Sequence, residues 1–289
     1  MNLTVYTADG QTEQFPNDKS LRKAVTEWLG YPAVKFYTTE NGEDEINTFS
    51  PDDVVFAIPY TPDKSLDRDI IIACLYGKID EVVDLISRYA DVNATDEYMN
   101  TPIQWASYNG LCPLVDILWK NGADVNAPNE NMDSPLHFAS LAGDDSVVDI
   151  LLKNGANINA TNKYMRTPLH NASSEGHNSI VDILLKNGAD VHATNKNMET
   201  PLHIVSLFGD DSIVDILLKN GADVNVTTQN MMTPLHWASQ RGHYSVVDIL
   251  LKNGANVNAT NDENKTPLHC ASVRGNYSII DILVENGAV

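Results

Sequence analysis

Five histidines, His137, His170, His203, His236 and His269, stand 33 residues apart in a chain of 289 residues. Imidazole is the side chain best suited to metal ligation and to proton transfer near neutral pH. The spacing argues against both uses, because five copies strung along a regular period cannot converge on one ion. The row instead predicts a structural hydrogen bond made once per unit, linking neighbouring turns. His177 and His243 each follow a glycine and are expected to be exposed. No Ser-His-Asp set stands apart from the period, so no nucleophile has both a base and an orienting group. Catalytic residues, cofactors and metals are therefore not assigned, and an enzyme is not expected. Asp144-Asp145 and Asp210-Asp211 supply oxygens of the kind calcium takes, but they lack the glycine and distal glutamate of a calcium-binding loop. Acidic pairs at helix N-termini, favoured by the helix dipole, are the simpler reading. Cys74, Cys112 and Cys270 are odd in number and lack Cys-x-x-Cys spacing, which points to free buried thiols in a reducing compartment.

The elements that carry these residues follow the same period. Thr101-Pro102, Ser134-Pro135, Thr167-Pro168, Thr200-Pro201, Thr233-Pro234 and Thr266-Pro267 fall in register when the chain is slid by 33 residues. A Thr or Ser hydroxyl caps a helix, and Pro suits the first helical position because its missing N–H costs nothing there. Gly110, Gly143, Gly176, Gly209, Gly242 and Gly275 then end a short first helix. A second helix through Val-Val-Asp-Ile-Leu-Leu-Lys carries apolar residues around most of its circumference, as a helix with neighbours on two sides requires. It stops at Gly122, Gly155, Gly188, Gly221, Gly254 or Gly287, and an Ala-Asp-Val-Asn-Ala-Thr-Asn segment predicts an extended finger with a tight turn. One supersecondary unit is thus stacked many times, each copy touching only its neighbours.

The pattern Thr-Pro-Leu-His-x-Ala, Gly-x-x-x-x-Val, Leu-Leu-x-x-Gly-Ala-Asp-Val-Asn-Ala resembles the ankyrin repeat family. The resemblance implies a mainly α solenoid of seven helix pairs over residues 68–289, with repeats starting near 68, 101, 134, 167, 200, 233 and 266. It also implies a concave face and finger tips that bind other proteins. The first repeat is degenerate, with Arg68-Asp69-Ile70-Ile71 in place of Thr-Pro-Leu-His, as a capping repeat should be. The last keeps Ile279, Ile280, Ile282, Leu283 and Val284, which predicts an exposed apolar flank able to contact another molecule. Asn126, Asn159, Asn225 and Asn258, with His192 in the corresponding place, resemble the finger asparagines hydroxylated in some ankyrin arrays by an iron- and oxoglutarate-dependent enzyme. Their first role is to tie the finger by side-chain hydrogen bonds.

Residues 1–60 lack the period. Strands are expected around Leu3–Val5, Thr12–Phe15, Ala33–Thr38 and Val54–Ile58, with a helix from Ser20 to Gly30. The order β-β-α-β-β and the opening Met1-x-x-x-Val5-x-Thr7-x-x-Gly10-x-Thr12 resemble ubiquitin and its relatives, implying a small α+β β-grasp domain. A terminal Gly-Gly is absent, since Pro59-Tyr60-Thr61-Pro62 runs on into a linker, 61–67. That resemblance raises an alternative function, a substrate adaptor of the ubiquitin–proteasome system. The Asn-rich, closely similar repeats also look like host-interaction proteins of large DNA viruses or intracellular bacteria.

A net charge of −20 and a pI near 4.5 argue against nucleic acid and anionic membranes as partners and favour a protein with a basic surface. With no apolar run of spanning length and no leader, a cytoplasmic protein is expected. Positions that differ between repeats are free to recognise something. On the first helices these are Tyr76, Tyr108, Leu207 and Phe208, expected as exposed anchors, with Leu141 and Arg241. Trp105, Phe138, Ile204 and Trp237 follow the Leu-His pair or its equivalent and belong either to the groove or to inter-repeat core. On the fingers Met99, Met132, Met165, Met198 and Met231 occupy a place where the resembling family has Gly. Three readings of that stripe stand open: a changed turn, a tolerant binding edge, or an accident copied by duplication.

Overall fold

The computed structural model describes residues 64–289, and the backbone of four strands before them. The strands are β1 (Asn2–Thr7), β2 (Thr12–Pro16), β3 (Val34–Thr38) and β4 (Val55–Pro59). They form one sheet in the order β2-β1-β4-β3, with β1 parallel to β4 and the other pairs antiparallel. The helix expected from Ser20 to Gly30 and the turns around Asp9 and Gly42 lie outside the described residues, and the β-grasp assignment lies there with them.

Among the described residues the chain is otherwise helical. A 3-10 turn at Lys64–Leu66 leads into α1 (Asp67–Leu75) and α2 (Ile79–Ser87). Six further pairs follow: α3 (Pro102–Tyr108) with α4 (Cys112–Lys120), α5 (Pro135–Ala142) with α6 (Asp145–Lys153), and α7 (Pro168–Glu175) with α8 (Asn178–Lys186). After them come α9 (Pro201–Phe208) with α10 (Asp211–Lys219), α11 (Pro234–Arg241) with α12 (Tyr244–Lys252), and α13 (Pro267–Arg274) with α14 (Tyr277–Glu285). Leu66 is buried in the same apolar core as the helices that follow.

From the second repeat onward, each first helix starts where the Thr-Pro or Ser-Pro pair directs. Thr167 sits in extended backbone with Pro168 as the first helical residue, and Gly176 closes α7 in the left-handed region. Left-handed backbone is one reason for glycine there, and close approach is another. A Cβ on Gly143 would stand 2.6 Å from the His177 ring of the next repeat. In the second helices Val147, Val148 and Leu151, and their equivalents in repeats two to six, are fully buried. Each such side chain contributes about 1.5–3 kcal/mol. Leu151→Ala would remove roughly 2–5 kcal/mol, since the neighbours on both sides would face the cavity.

The odd-numbered first helices pack on one another more closely than the second helices do. The stack therefore curves with the first helices and fingers on its concave side. At the far end the expected apolar flank is smaller than its sequence suggested. Ile279, Ile282 and Leu283 are buried and Ile280 is half-buried, because α14 turns that face onto α12 and α13. Val284 remains exposed, as do Tyr277 and Val273 on neighbouring turns.

Candidate interaction groove

The histidine row is built into the frame. In the third repeat the Ser134 N–H donates to His137 Nδ1 at 3.1 Å, and His137 Nε2 lies 3.0 Å from the Arg166 carbonyl. Because Nδ1 accepts a backbone proton, the ring is neutral with its own proton on Nε2, which donates to that carbonyl. His170, His203 and His236 repeat the arrangement onto the carbonyls of Glu199, Met232 and Lys265. Burial disfavours the charged ring and pushes His170 and His203 down to about 4, with His137 and His236 also lowered. The second repeat does the same work with Gln104, whose Oε1 accepts from the Thr101 N–H while Nε2 donates to the carbonyls of Ala127 and Asp133. His269 carries the same cap bond but is exposed.

Other expected chemistry is also absorbed by structure. Asp144 and Asp210 cap α6 and α10, accepting from the N–H groups of Val147 and Ile213. Among the described residues no three His, Cys, Asp or Glu side chains gather as a metal site would need. Cys74 and Cys270 are buried, and desolvation pushes the Cys74 thiol up to about 12, while Cys112 is half-buried. No described helix is long and apolar enough to cross a membrane. His177 and His243 are not the free surface groups the sequence suggested. They are half-buried and reach back to the Leu141 and Leu207 carbonyls of the preceding repeat.

Most of the variable positions on the first helices are half-buried or exposed. Trp105, Tyr108 and Phe138 form a three-ring cluster with centroids 6.2–6.4 Å apart, each pair edge to face. Tyr108 is 45% exposed and Leu141 is exposed beside it. Trp105 is half-buried, and its indole N–H donates to Asp96 at 3.0 Å. Further along the row of first helices Phe208 is 59% exposed, Leu207 and Trp237 are half-buried, and Arg241 is exposed. Ile204 departs from the groove expectation. It is 8% exposed, whereas the larger Trp105, Phe138 and Trp237 at the same repeat position are half-buried. Between the two apolar clusters lies a polar step of buried Asn171, half-buried Ser174 and exposed Glu175. Tyr76 is exposed on the first repeat.

The finger tips complete the surface. Asn129 Oδ1 accepts from the N–H groups of both Asn131 and Asp133, and this wrap places Met132 between them in left-handed backbone at φ 64°. Met99, Met165, Met198 and Met231 adopt the same backbone, as does Asn264. All five methionines are about half exposed. The turn has therefore kept the geometry that favours glycine, which removes the changed-turn reading.

Sequence reasoning missed Tyr98, Tyr164 and Arg166. The two tyrosines are exposed at alternate tips, and Arg166 donates to Ser174 Oγ at 2.9 Å. Together with Asn131, Phe138 and Leu141 they line a cavity of about 440 Å³. A second cavity, about 470 Å³, lies over Trp237, Gln240 and Lys265. There the indole N–H of Trp237 has no partner, because Thr228 stands where Asp96 serves Trp105.

Comparison with known protein families matches the ankyrin repeats in three copies, over residues 70–162, 136–228 and 202–289. No curated protein matches the chain. With helix pairs, left-handed closing glycines and cap histidines all in register with a family match over more than half of its length, the chain belongs to the ankyrin-repeat family.

Proposed function

We propose that the solenoid is a non-enzymatic scaffold that captures a protein segment across its concave groove. The observation that carries this reading is the exposure of large apolar side chains, Tyr108, Leu141 and Phe208, at positions that the repeat does not need for its own packing. Apolar anchors of this kind, once covered, supply most of an interface's free energy. The methionine stripe adds an adaptable edge, Met132, Met165, Met198 and Met231, on the same side.

The partner segment is basic as well as apolar. Asp96, Glu97, Glu130 and Asp133 sit on the first two finger tips, next to the aromatic cluster, and the chain as a whole carries a charge of −20. Such a field speeds encounter with positive segments. Selection of a displayed random-peptide library on the full chain tests this. Lysine- or arginine-flanked aromatic and aliphatic peptides should be enriched and should lose binding to the Tyr108→Ala, Phe208→Ala double variant. Enrichment of acidic peptides, or equal retention by the variant, would overturn the proposal.

A further inference from the structure

We propose that the junction between the fourth repeat (167–199) and the fifth (200–232) is a hinge that divides the solenoid into two cooperative blocks, residues 64–199 and 200–289. Three kinds of side-chain tie fasten adjacent repeats elsewhere, and this junction lacks all three.

The first tie is the finger asparagine. Asn126 donates to the Gly155 carbonyl at 3.1 Å and accepts from the Asn157 N–H at 2.7 Å, gripping the next repeat with both ends of its amide. Asn93, Asn159, Asn225 and Asn258 do the same at their junctions. At the fourth junction the residue is His192, and the grip is absent. The second tie comes from the residue before the second helix. His177, His243 and Asn276 each donate back to a carbonyl of the preceding repeat. Here that residue is Asp210, an acceptor, which turns instead to its own helix at Ile213. The third tie joins finger bases. Asn129 donates to Asn100, Asn162 to Asp133 and Asn261 to the Met232 sulfur. Thr228 occupies this place in the fifth repeat, and its hydroxyl accepts from Met232 of its own finger. Three other junctions each lack one tie and keep the other two: Leu111 and Asp144 make no backward bond in the second role at the first and second junctions, and Asn195 turns to Glu199 of its own finger at the third.

Among the described residues one hydrogen bond crosses the fourth junction, from the Gln229 N–H to the Asn197 carbonyl at 3.1 Å. Apolar packing is continuous through it, with Leu184, Val205 and Leu217 fully buried. Burial of that kind is non-directional, whereas hydrogen bonds fix angles. The junction therefore holds the blocks together while leaving their relative angle free, and in a one-dimensional array the weakest interface sets where cooperativity breaks. Trp105, Tyr108 and Phe138 lie on one block, and Leu207, Phe208 and Trp237 on the other. On the groove reading above, a bound segment that touches both clusters spans the hinge and closes it.

The division itself is tested without any partner. Hydrogen–deuterium exchange of the full chain, followed peptide by peptide in rising urea, should show repeats two to four and repeats five to six losing protection at two separate midpoints, with the break at 199/200. His192→Asn with Thr228→Asn should bring the midpoints together, and Asn159→His should create a second break near 166/167. A single midpoint across repeats two to six in the native sequence, or a break at another junction, overturns the hinge whether or not the variants fold. That outcome would leave the peptide-selection result for the groove untouched.

Discussion

Two rows run the length of this solenoid with the same period, and they have opposite energetic signs. Four of the five cap histidines are buried, bonded at both ring nitrogens, and join their helix start to the finger. The tip methionines are exposed, touch little, and sit in backbone that costs a side chain roughly 1 kcal/mol. Regular recurrence therefore does not tell a structural residue from one kept for another use. What separates them is whether the neighbours supply partners, and the comparison can be broken or sharpened at either row.

The largest effect is expected from acid. Four rings are held neutral, two of them with their pKa lowered to about 4 from an ordinary 6.5. Below about pH 6.5 the unfolded chain binds protons that the folded chain refuses, so stability falls as pH drops and keeps falling until about pH 4. Between pH 7 and 5 the loss should reach roughly 2 kcal/mol for each of His170 and His203, read from urea midpoints at the two pH values. Replacing both by Gln should flatten that dependence with little loss at pH 7, because Gln104 already shows that the amide fits. An unchanged slope in this variant would remove the histidines from the explanation.

Truncation comes next. His170→Ala leaves the Glu199 carbonyl and the Thr167 N–H without their partner, and should cost about 2–4 kcal/mol in denaturant unfolding. A smaller and opposite effect is expected from the other row, where Met165→Gly should stabilise by about 0.5–1 kcal/mol through relief of the left-handed backbone. A loss on that substitution would mean that the methionine packs more than its exposure suggests. The smallest effect belongs to the groove, where Tyr108→Ala or Phe208→Ala should change stability by under about 1 kcal/mol each.

Much of this frame was legible because its signals are local. Thr-Pro starts a helix and Gly ends it by backbone preference alone, so the helix pairs could be placed from residues near each boundary. Features that depend on the neighbouring repeat were harder to see. His177 and His243 looked like loop residues until the preceding repeat's carbonyls came within reach. Ile279, Ile282 and Leu283 looked uncovered because their cover comes from α12 and α13, a packing that the sequence of α14 does not display. Tyr98, Tyr164 and Arg166 vary from finger to finger, and only curvature brings them over Phe138 to line a cavity.

The central claim is that buried, partnered side chains such as His170 build the spine, while exposed ones such as Tyr108 and Phe208 recognise. One paired measurement tests it most directly: thermal unfolding and affinity-capture mass spectrometry on three proteins, the native chain, His170→Ala, and Tyr108→Ala with Phe208→Ala. The claim predicts a clear drop in melting temperature for His170→Ala alone, and loss of the captured partner with a nearly native melting temperature for the groove variant. A groove variant that melts early, or that keeps every partner of the native chain, would contradict it.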